Sequence, residues 1–203
     1  MKQVDKVRAG YDLVASKYAN ERDHQSSIPY LERLNDTLAP NSLILDLGCG
    51  AGLPVDQWLI NAGHRVIGID ISQSMLDLAR DNVPRATYQI GNLLDLKPFE
   101  MSVDAVVCFF ALFHIDRTAH RRFFEVVRTY LGDRGSLLIT TGRFDWEGTE
   151  DFLGVEMEWS HFDRATYRQM IEECGFSIVM ETEHRGNAFN DDDWHPIFLA
   201  RSA

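Results

Sequence analysis

Residues 43–54, LILDLGCGAGLP, decide how this chain folds. Leu43, Ile44, Leu45 and Leu47 surround one aspartate in a short apolar run, the pattern of a buried strand. Glycine then stands at every second position: Gly48, Gly50 and Gly52. Without a Cβ, such residues adopt positive φ readily and let a ligand approach the backbone closely. Ligands of open α/β sheets bind beyond the carboxyl ends of the strands, where strand order reverses. The stretch therefore predicts a first strand whose following turn cradles a nucleotide-like ligand.

Outward from that turn, helical and strand patterns alternate. Pro54–Ala62 reads as a helix, Arg65–Ile71 as a second buried strand, and Ser72 as the N-cap of a helix carrying Met75, Leu76 and Ala79. Ala86–Gly91 and Val103–Phe109 read as strands three and four. Asp116 reads as a cap before a helix with Ala119, Phe123, Val127, Tyr130 and Leu131, stopped at Gly132, and Gly135–Thr141 as strand five. This alternation predicts a Rossmann-like, doubly wound α/β fold: seven strands, mostly parallel, with helices on both faces. Phe176–Glu183 and Trp194–Arg201 would add an antiparallel C-terminal edge hairpin after a helix at Asp163–Cys174. Arg143–Trp159 lacks clear periodicity. The N-terminal stretch would form a cap of two helices over one end of the sheet. One domain spans 1–203, as a lid (1–40), a core (41–141) and an acceptor-side part (142–203).

Spacing separates candidate ligands. A dinucleotide fingerprint, G-x-G-x-x-G, needs a third glycine at position 53, where this chain has Leu53. The arrangement from Asp46 to Gly52 is instead D-x-G-x-G-x-G, with an acid at the strand end that would repel a pyrophosphate. Asp70, 18 residues after Gly52, ends the VIGID strand and is placed to accept hydrogen bonds from both hydroxyls of a ribose.

These residues resemble the class I S-adenosylmethionine-dependent methyltransferases. DLGCGAG is similar to that family's first motif, and GIDIS with Met75 to its second. GNLLDLKPF is similar to the adenine-contacting segment, DAVVCFFALFHI to the fourth-strand motif, and GDRGSLLIT to the turn and fifth strand. YDLVASKY is similar to an N-terminal lid helix. The resemblance runs from about Tyr11 to Arg201. It implies S-adenosyl-L-methionine as cofactor and S-adenosyl-L-homocysteine as product. By position, Asp46, Gly48 and Gly50 would lie at the methionine end, with Asp46 near its ammonium, directly or through water. Asp70 would hold the ribose diol, Ile71, Met75 and Leu93 would border the adenine, Phe109 would stand near the sulfonium, and Tyr18 would cover the site. Many relatives have an acid where this chain has Asn92, whose amide can still accept and donate.

Transfer from a sulfonium brings its own activated carbon, so the protein must mainly align the acceptor and exclude water. A general base helps only an acceptor that arrives protonated. His114, after strand four, and His161, in MEWSHFD, are the candidate bases. His195 reads as structural, and His64 and His120 read as solvent-facing. Residues 143–163 hold seven carboxylates against Arg143, interleaved with aromatics. They fit either a pocket for a cationic acceptor or a solvated acidic loop with its aromatics turned onto the core. Asp191–Asp193 reads as a solvated turn, and no metal site is expected.

Composition bounds the partners. A net charge of −11 and a single Arg/Lys doublet, Arg121–Arg122, oppose a nucleic-acid footprint. The longest apolar run, Ala105–Phe113, is far short of the ~20 residues of a membrane span. Cys49, Cys108 and Cys174, odd in number and widely spaced, suit free thiols in a cytoplasmic protein. The expected function is methyl transfer to a small-molecule acceptor, by a monomer or homodimer, without nucleic-acid or membrane partners. The alternatives are a non-catalytic nucleoside-binding relative and, more remotely, an NAD(P)-dependent oxidoreductase.

Overall fold

The computed structural model describes residues 3–96, 102–187 and 190–203, excluding the side chains of 186, 187 and 190–193. The 97–99 part of the adenine-segment motif and the Asp191–Asp193 side chains therefore lie outside the described set.

The apolar run at Leu43–Leu47 forms β1, buried at all five positions. It pairs in parallel with β2 (Arg65–Asp70) on one side and β4 (Val103–Cys108) on the other. β3 (Thr87–Ile90), β5 (Leu131–Thr140), β8 (Phe176–Asn187) and β9 (Asn190–Ser202) complete a seven-stranded sheet of order β3-β2-β1-β4-β5-β9-β8. The first five strands run parallel, while β9 and β8 are antiparallel at the edge. The order reverses between β1 and β4, which places the glycine turn at the switch point.

Alternation along β1 divides the core between the two sheet faces. Leu43, Leu45 and Leu47 join Phe123, Phe124 and Val127 of α5 (His120–Tyr130) and Tyr167 and Ile171 of α6 (Arg164–Glu173). Ile44 joins Leu31 and Leu34 of α2 (Ile28–Asn35), Leu59 of α3 (Val55–Asn61) and Leu76 of α4 (Gln73–Asn82). Each such fully buried side chain contributes about 1.5–3 kcal/mol of transfer free energy, so both helical layers are held by apolar burial.

The lid helix α1 (Gln3–Glu21) has only four buried residues, Val7, Gly10, Val14 and Ala15, and is tied down by polar contacts as well. Asp12 Oδ1 accepts from Ser72 Oγ at 2.6 Å and from the Ser74 amide at 3.2 Å. Lys6 pairs with Glu158 at 2.5 Å.

The stretch without periodicity is a hairpin, β6 (Trp146–Phe152) and β7 (Val155–His161), outside the main sheet. Leu153 and Gly154 make its two-residue turn with φ of 59° and 90°, the geometry that matches strand twist. Five of the seven β6 residues are exposed, so no core face imposes an alternation. Two histidines read as solvent-facing are buried instead. His64 Nε2 donates to Asn35 Oδ1 at 2.8 Å, and His120 lies between Tyr167 Oη at 2.8 Å and the Ile115 carbonyl at 3.1 Å. Each finds polar partners that the local pattern does not reveal.

Candidate active site

The turn after β1 is built on its glycines. Gly48 has φ +80°, and a Cβ there would stand 2.3 Å from the Ala111 Cβ, so the chain beyond β4 approaches bare backbone. Gly50 has φ +53°, and a Cβ on it would meet no protein atom within 4 Å. Gly50 lines a cleft, so that open space belongs to a ligand cradle. The turn is held to β2: the Gly48 and Cys49 amides donate to the Ile69 carbonyl, and the Gly50 amide donates to Asp70 Oδ2 at 2.9 Å. Asp70 Oδ1 accepts from the Ser72 amide at 2.9 Å. Burial pushes the Asp70 carboxyl up, and these amides oppose the shift.

The cleft holds about 660 Å³ of empty space, open solvent included. Tyr18, Gly48, Gly50, Asp70, Ile71, Met75, Asn92, Leu93 and Phe109 all line it. Asn92 also caps a 3-10 turn, accepting from the Leu94 amide at 3.0 Å and donating to Asp95 at 3.2 Å.

Asp46 is the exception: it does not line the cleft. It is 2% exposed and packed beside Asp56, which accepts from the Tyr88 hydroxyl at 2.9 Å. Desolvation, then the Asp56 charge, push the Asp46 carboxyl well above its ordinary range, while burial raises Asp56 to about 6. A carboxyl buried against another keeps its proton, so Asp46 acts here as a neutral group beneath the turn. Its native pKa exceeds the unfolded value, so the native state holds the extra proton, and stability is lost as pH rises through the native pKa. Asp46→Asn should therefore gain stability relative to the wild type as pH is raised from the ordinary carboxyl range, about 4, through neutrality. Thermal melts of both proteins across that range measure the difference, and parallel curves would refute the buried-acid assignment.

A second cavity, about 1500 Å³ counted to its mouth, adjoins the cleft. Its wall includes Phe113, Phe144, Trp146, Phe152 and Trp159, together with His161, His184 and His195. Tyr11, Tyr18, Arg22 and Phe110 line both cavities. The acidic stretch is divided: Asp145 and Glu147 lie near Arg117, Glu158 pairs with Lys6, and Glu150 and Asp151 line the chamber.

The two candidate bases lie in different compartments. His114 lines the inner cleft, with Nε2 2.7 Å from Tyr11 Oη and Nδ1 3.3 Å from the Glu158 carbonyl; burial lowers it to about 4. His161 lines the outer chamber and donates from Nδ1 to the Phe144 carbonyl at 2.6 Å, a tautomer that leaves Nε2 as an acceptor. Burial lowers its pKa as well.

Three residues of the junction have roles that no motif assigns. Phe110 has φ +55°, an unusual conformation for a bulky residue, stabilised by donation from its amide to Thr140 Oγ1 at 2.5 Å. Arg22 stacks over Tyr18 and Phe110, with its guanidinium carbon 5.5 and 5.2 Å from their centroids, and donates from Nη1 to Tyr18 Oη at 3.0 Å. Its Nη2 is buried with no hydrogen-bond partner among the described residues. The i,i+4 spacing of Tyr18 and Arg22 is the one signal for this pair. Tyr11 opens the lid-helix motif YDLVASKY, which gives it no partner. No group of three His, Cys, Asp or Glu side chains among the described residues could hold a metal ion.

Comparison with known proteins agrees with this architecture. The family described as a methyltransferase domain matches residues 44–135, from β1 into β5. Residues 44–135 thus carry a methyltransferase domain, and the proteins this chain is similar to are methyltransferases. A Synechocystis methyltransferase is 28% identical over 176 residues, covering 83% of this chain and 80% of that protein. The 18S rRNA (guanine-N(7))-methyltransferase of Mus musculus is 41% identical over 58 residues, 29% of this chain and 20% of its own length. Among solved structures, the Burkholderia thailandensis 1,6-didemethyltoxoflavin-N1-methyltransferase superposes with TM-score 0.77 at 16% identity, covering 98% of this chain and 88% of that one. That likeness is one of fold. No described helix of this methyltransferase is long and apolar enough to cross a membrane.

Proposed function

We propose that this methyltransferase transfers a methyl group to a small molecule held in the aromatic chamber. The observation that carries the reading is the shared wall of Tyr11, Tyr18, Arg22 and Phe110, across which the cofactor cleft meets the second cavity. When bound, S-adenosylmethionine supplies the activated methyl carbon. The cleft fits such a group: the glycine turn, the half-buried Asp70 carboxyl and Arg22, whose Nη2 has no hydrogen-bond partner among the described residues, all line it. In this reading Asp70 accepts from the ribose hydroxyls. Ile71, Met75, Asn92 and Leu93 border the adenine, Gly48 and Gly50 flank the amino-acid end, and Phe109 and Tyr18 lie about the methyl. Arg22 binds the cofactor carboxylate through Nη2, for which it has no protein acceptor among the described residues. Asp46 supports the turn from below.

Enclosure and charge favour a small acceptor over RNA. The chamber is walled by rings, and the chain carries −11 at neutral pH, so a phosphate backbone meets repulsion. Ring walls suit a flat apolar acceptor that aligns by stacking and excludes water.

Calorimetry should show S-adenosylmethionine binding and no NAD binding. A panel of phenols, ring N–H heterocycles, amines, thiols and carboxylic acids, with total rRNA as one arm, should yield S-adenosylhomocysteine for small molecules only. Release with rRNA alone would overturn the small-acceptor assignment. Arg22→Met should weaken S-adenosylmethionine about 10–100-fold, the loss of a charge-assisted hydrogen bond of about 1.5–3 kcal/mol. It should leave 5′-methylthioadenosine, which lacks the carboxylate, unchanged. Equal losses for both ligands would remove Arg22 from that role.

A further inference from the structure

The Tyr11 hydroxyl stands at the junction of the two cavities, 2.7 Å from His114 Nε2. Across the ring, Nδ1 faces the Glu158 carbonyl oxygen at 3.3 Å. A carbonyl only accepts, so Nδ1 carries the ring proton, Nε2 presents a lone pair, and Tyr11 donates to it. The outer cavity reaches Tyr11 but not His114, whose ring is packed against Phe113 and Trp159 at centroid distances of 5.1 and 4.4 Å. Of the four residues common to both cavities, Tyr11 joins a hydroxyl to an imidazole. The Tyr18 hydroxyl accepts from Arg22 instead.

We propose that Tyr11 and His114 form a proton relay, in which Tyr11 Oη takes the proton of an acceptor O–H or N–H while passing its own proton to His114 Nε2. The inference rests on the methyltransferase reading above and narrows it: the natural acceptor is one that must lose a proton on methylation. The acceptor heteroatom gains the methyl carbon as the carbon–sulfur bond breaks, and that bond's electron pair stays on sulfur. The acceptor proton is balanced by the new proton on Nε2, so the positive charge lost at sulfur reappears on the imidazolium. Reversal through the hydroxyl returns that proton to solvent after product leaves.

The surroundings suit this exchange. His114 is neutral at physiological pH because burial holds it low, so Nε2 offers a lone pair; the same burial disfavours the imidazolium, which therefore forms as the sulfonium charge disappears. The Tyr11 phenol is held protonated by burial and by the neighbouring Tyr18 and Asp70, against the opposing charge of Arg22. On the β7 side the Glu158 carboxylate pairs with Lys6 from the lid, and the Glu158 backbone carbonyl fixes the His114 tautomer. A ring pinned at both nitrogens loses little orientation in transferring a proton.

Nitrogen-15 correlation spectra of histidine-labelled protein read the ring without an acceptor. Saturated with S-adenosylhomocysteine or S-adenosylmethionine, His114 should show the Nδ1–H tautomer. Its titration midpoint should be higher by about one unit with the thioether than with the sulfonium, as expected when a nearby positive charge is removed. Tyr11→Phe should shift the Nε2 resonance while cofactor affinity stays within about twofold. An Nε2–H tautomer, or equal midpoints in the two complexes, would overturn the relay. Turnover is the second readout: Tyr11→Phe and His114→Gln should each lower kcat about 10²–10⁴-fold for phenols and ring N–H acceptors. Both should lower methylation of a pyridine nitrogen, which has no proton to lose, at least tenfold less than that. Equal losses for both classes would show a structural role only and overturn the proposal. If neither cofactor binds the wild type, the methyltransferase reading itself fails, and the relay with it.

Discussion

Asp70→Ala should weaken S-adenosylmethionine binding about 10²–10³-fold in a calorimetric titration. The side chain lies at the end of β2, lines the cleft, and accepts one backbone amide on each carboxylate oxygen, from Ser72 and from Gly50. Each oxygen retains a further lone pair for a sugar hydroxyl. Losing two hydrogen bonds to a charged group, at about 1.5–3 kcal/mol each and less than additively, sets the expected range. The substitution also releases the Gly50 amide, so the cradle loosens as the sugar contact disappears. Asp70→Asn separates the two effects, because its amide oxygen can still accept from Gly50 or from one hydroxyl. Its affinity should fall between those of the wild type and alanine proteins. Unchanged affinity in the alanine protein, with a cooperative melt, would remove the ribose role.

Gly48→Ala should be the most damaging single methyl in the site. The backbone there has φ +80°, which alone disfavours an L side chain by about 1–2 kcal/mol. The added carbon would sit 2.3 Å from the Ala111 Cβ, so the β1 turn and the segment after β4 must separate. Overpacking of this kind costs about 1–3 kcal/mol, which gives a total near 2–5 kcal/mol. Chemical denaturation should show that loss, and cofactor binding should fall with it. The double variant Gly48→Ala/Ala111→Gly removes the contact but keeps the φ strain, so it should recover roughly half of the stability. No recovery would show that close approach is not what this glycine serves.

Both experiments probe the part of the molecule most legible from sequence. Glycines after an apolar run, and an acid ending the next strand, are local features whose geometry follows from the residues themselves. Asn92, Leu93 and Met75 were legible through the family resemblance, and all three line the cleft. The family resemblance places Asp46 near the cofactor ammonium, directly or through water. The structure turns it onto Asp56 and Tyr88, contributed by α3 and β3, and no local pattern reports such a pairing. The β6–β7 hairpin was illegible for a different reason. A strand exposed along most of its length shows no alternation, although its Leu-Gly turn is a usable signal. The acceptor side depends on long-range contacts: Tyr11 meets His114 across 103 residues, and Arg22 stacks on a Phe110 of unusual backbone conformation.

By itself the sequence determined the strand–helix alternation, the cofactor turn and the acid at its edge, because each depends on periodicity or backbone conformation within a few residues. Only the tertiary structure decided which carboxylate stays protonated, which hydroxyl meets the imidazole and where the acceptor chamber opens. Those outcomes depend on burial and charge contributed by distant segments, and such neighbours exist only once the chain is packed.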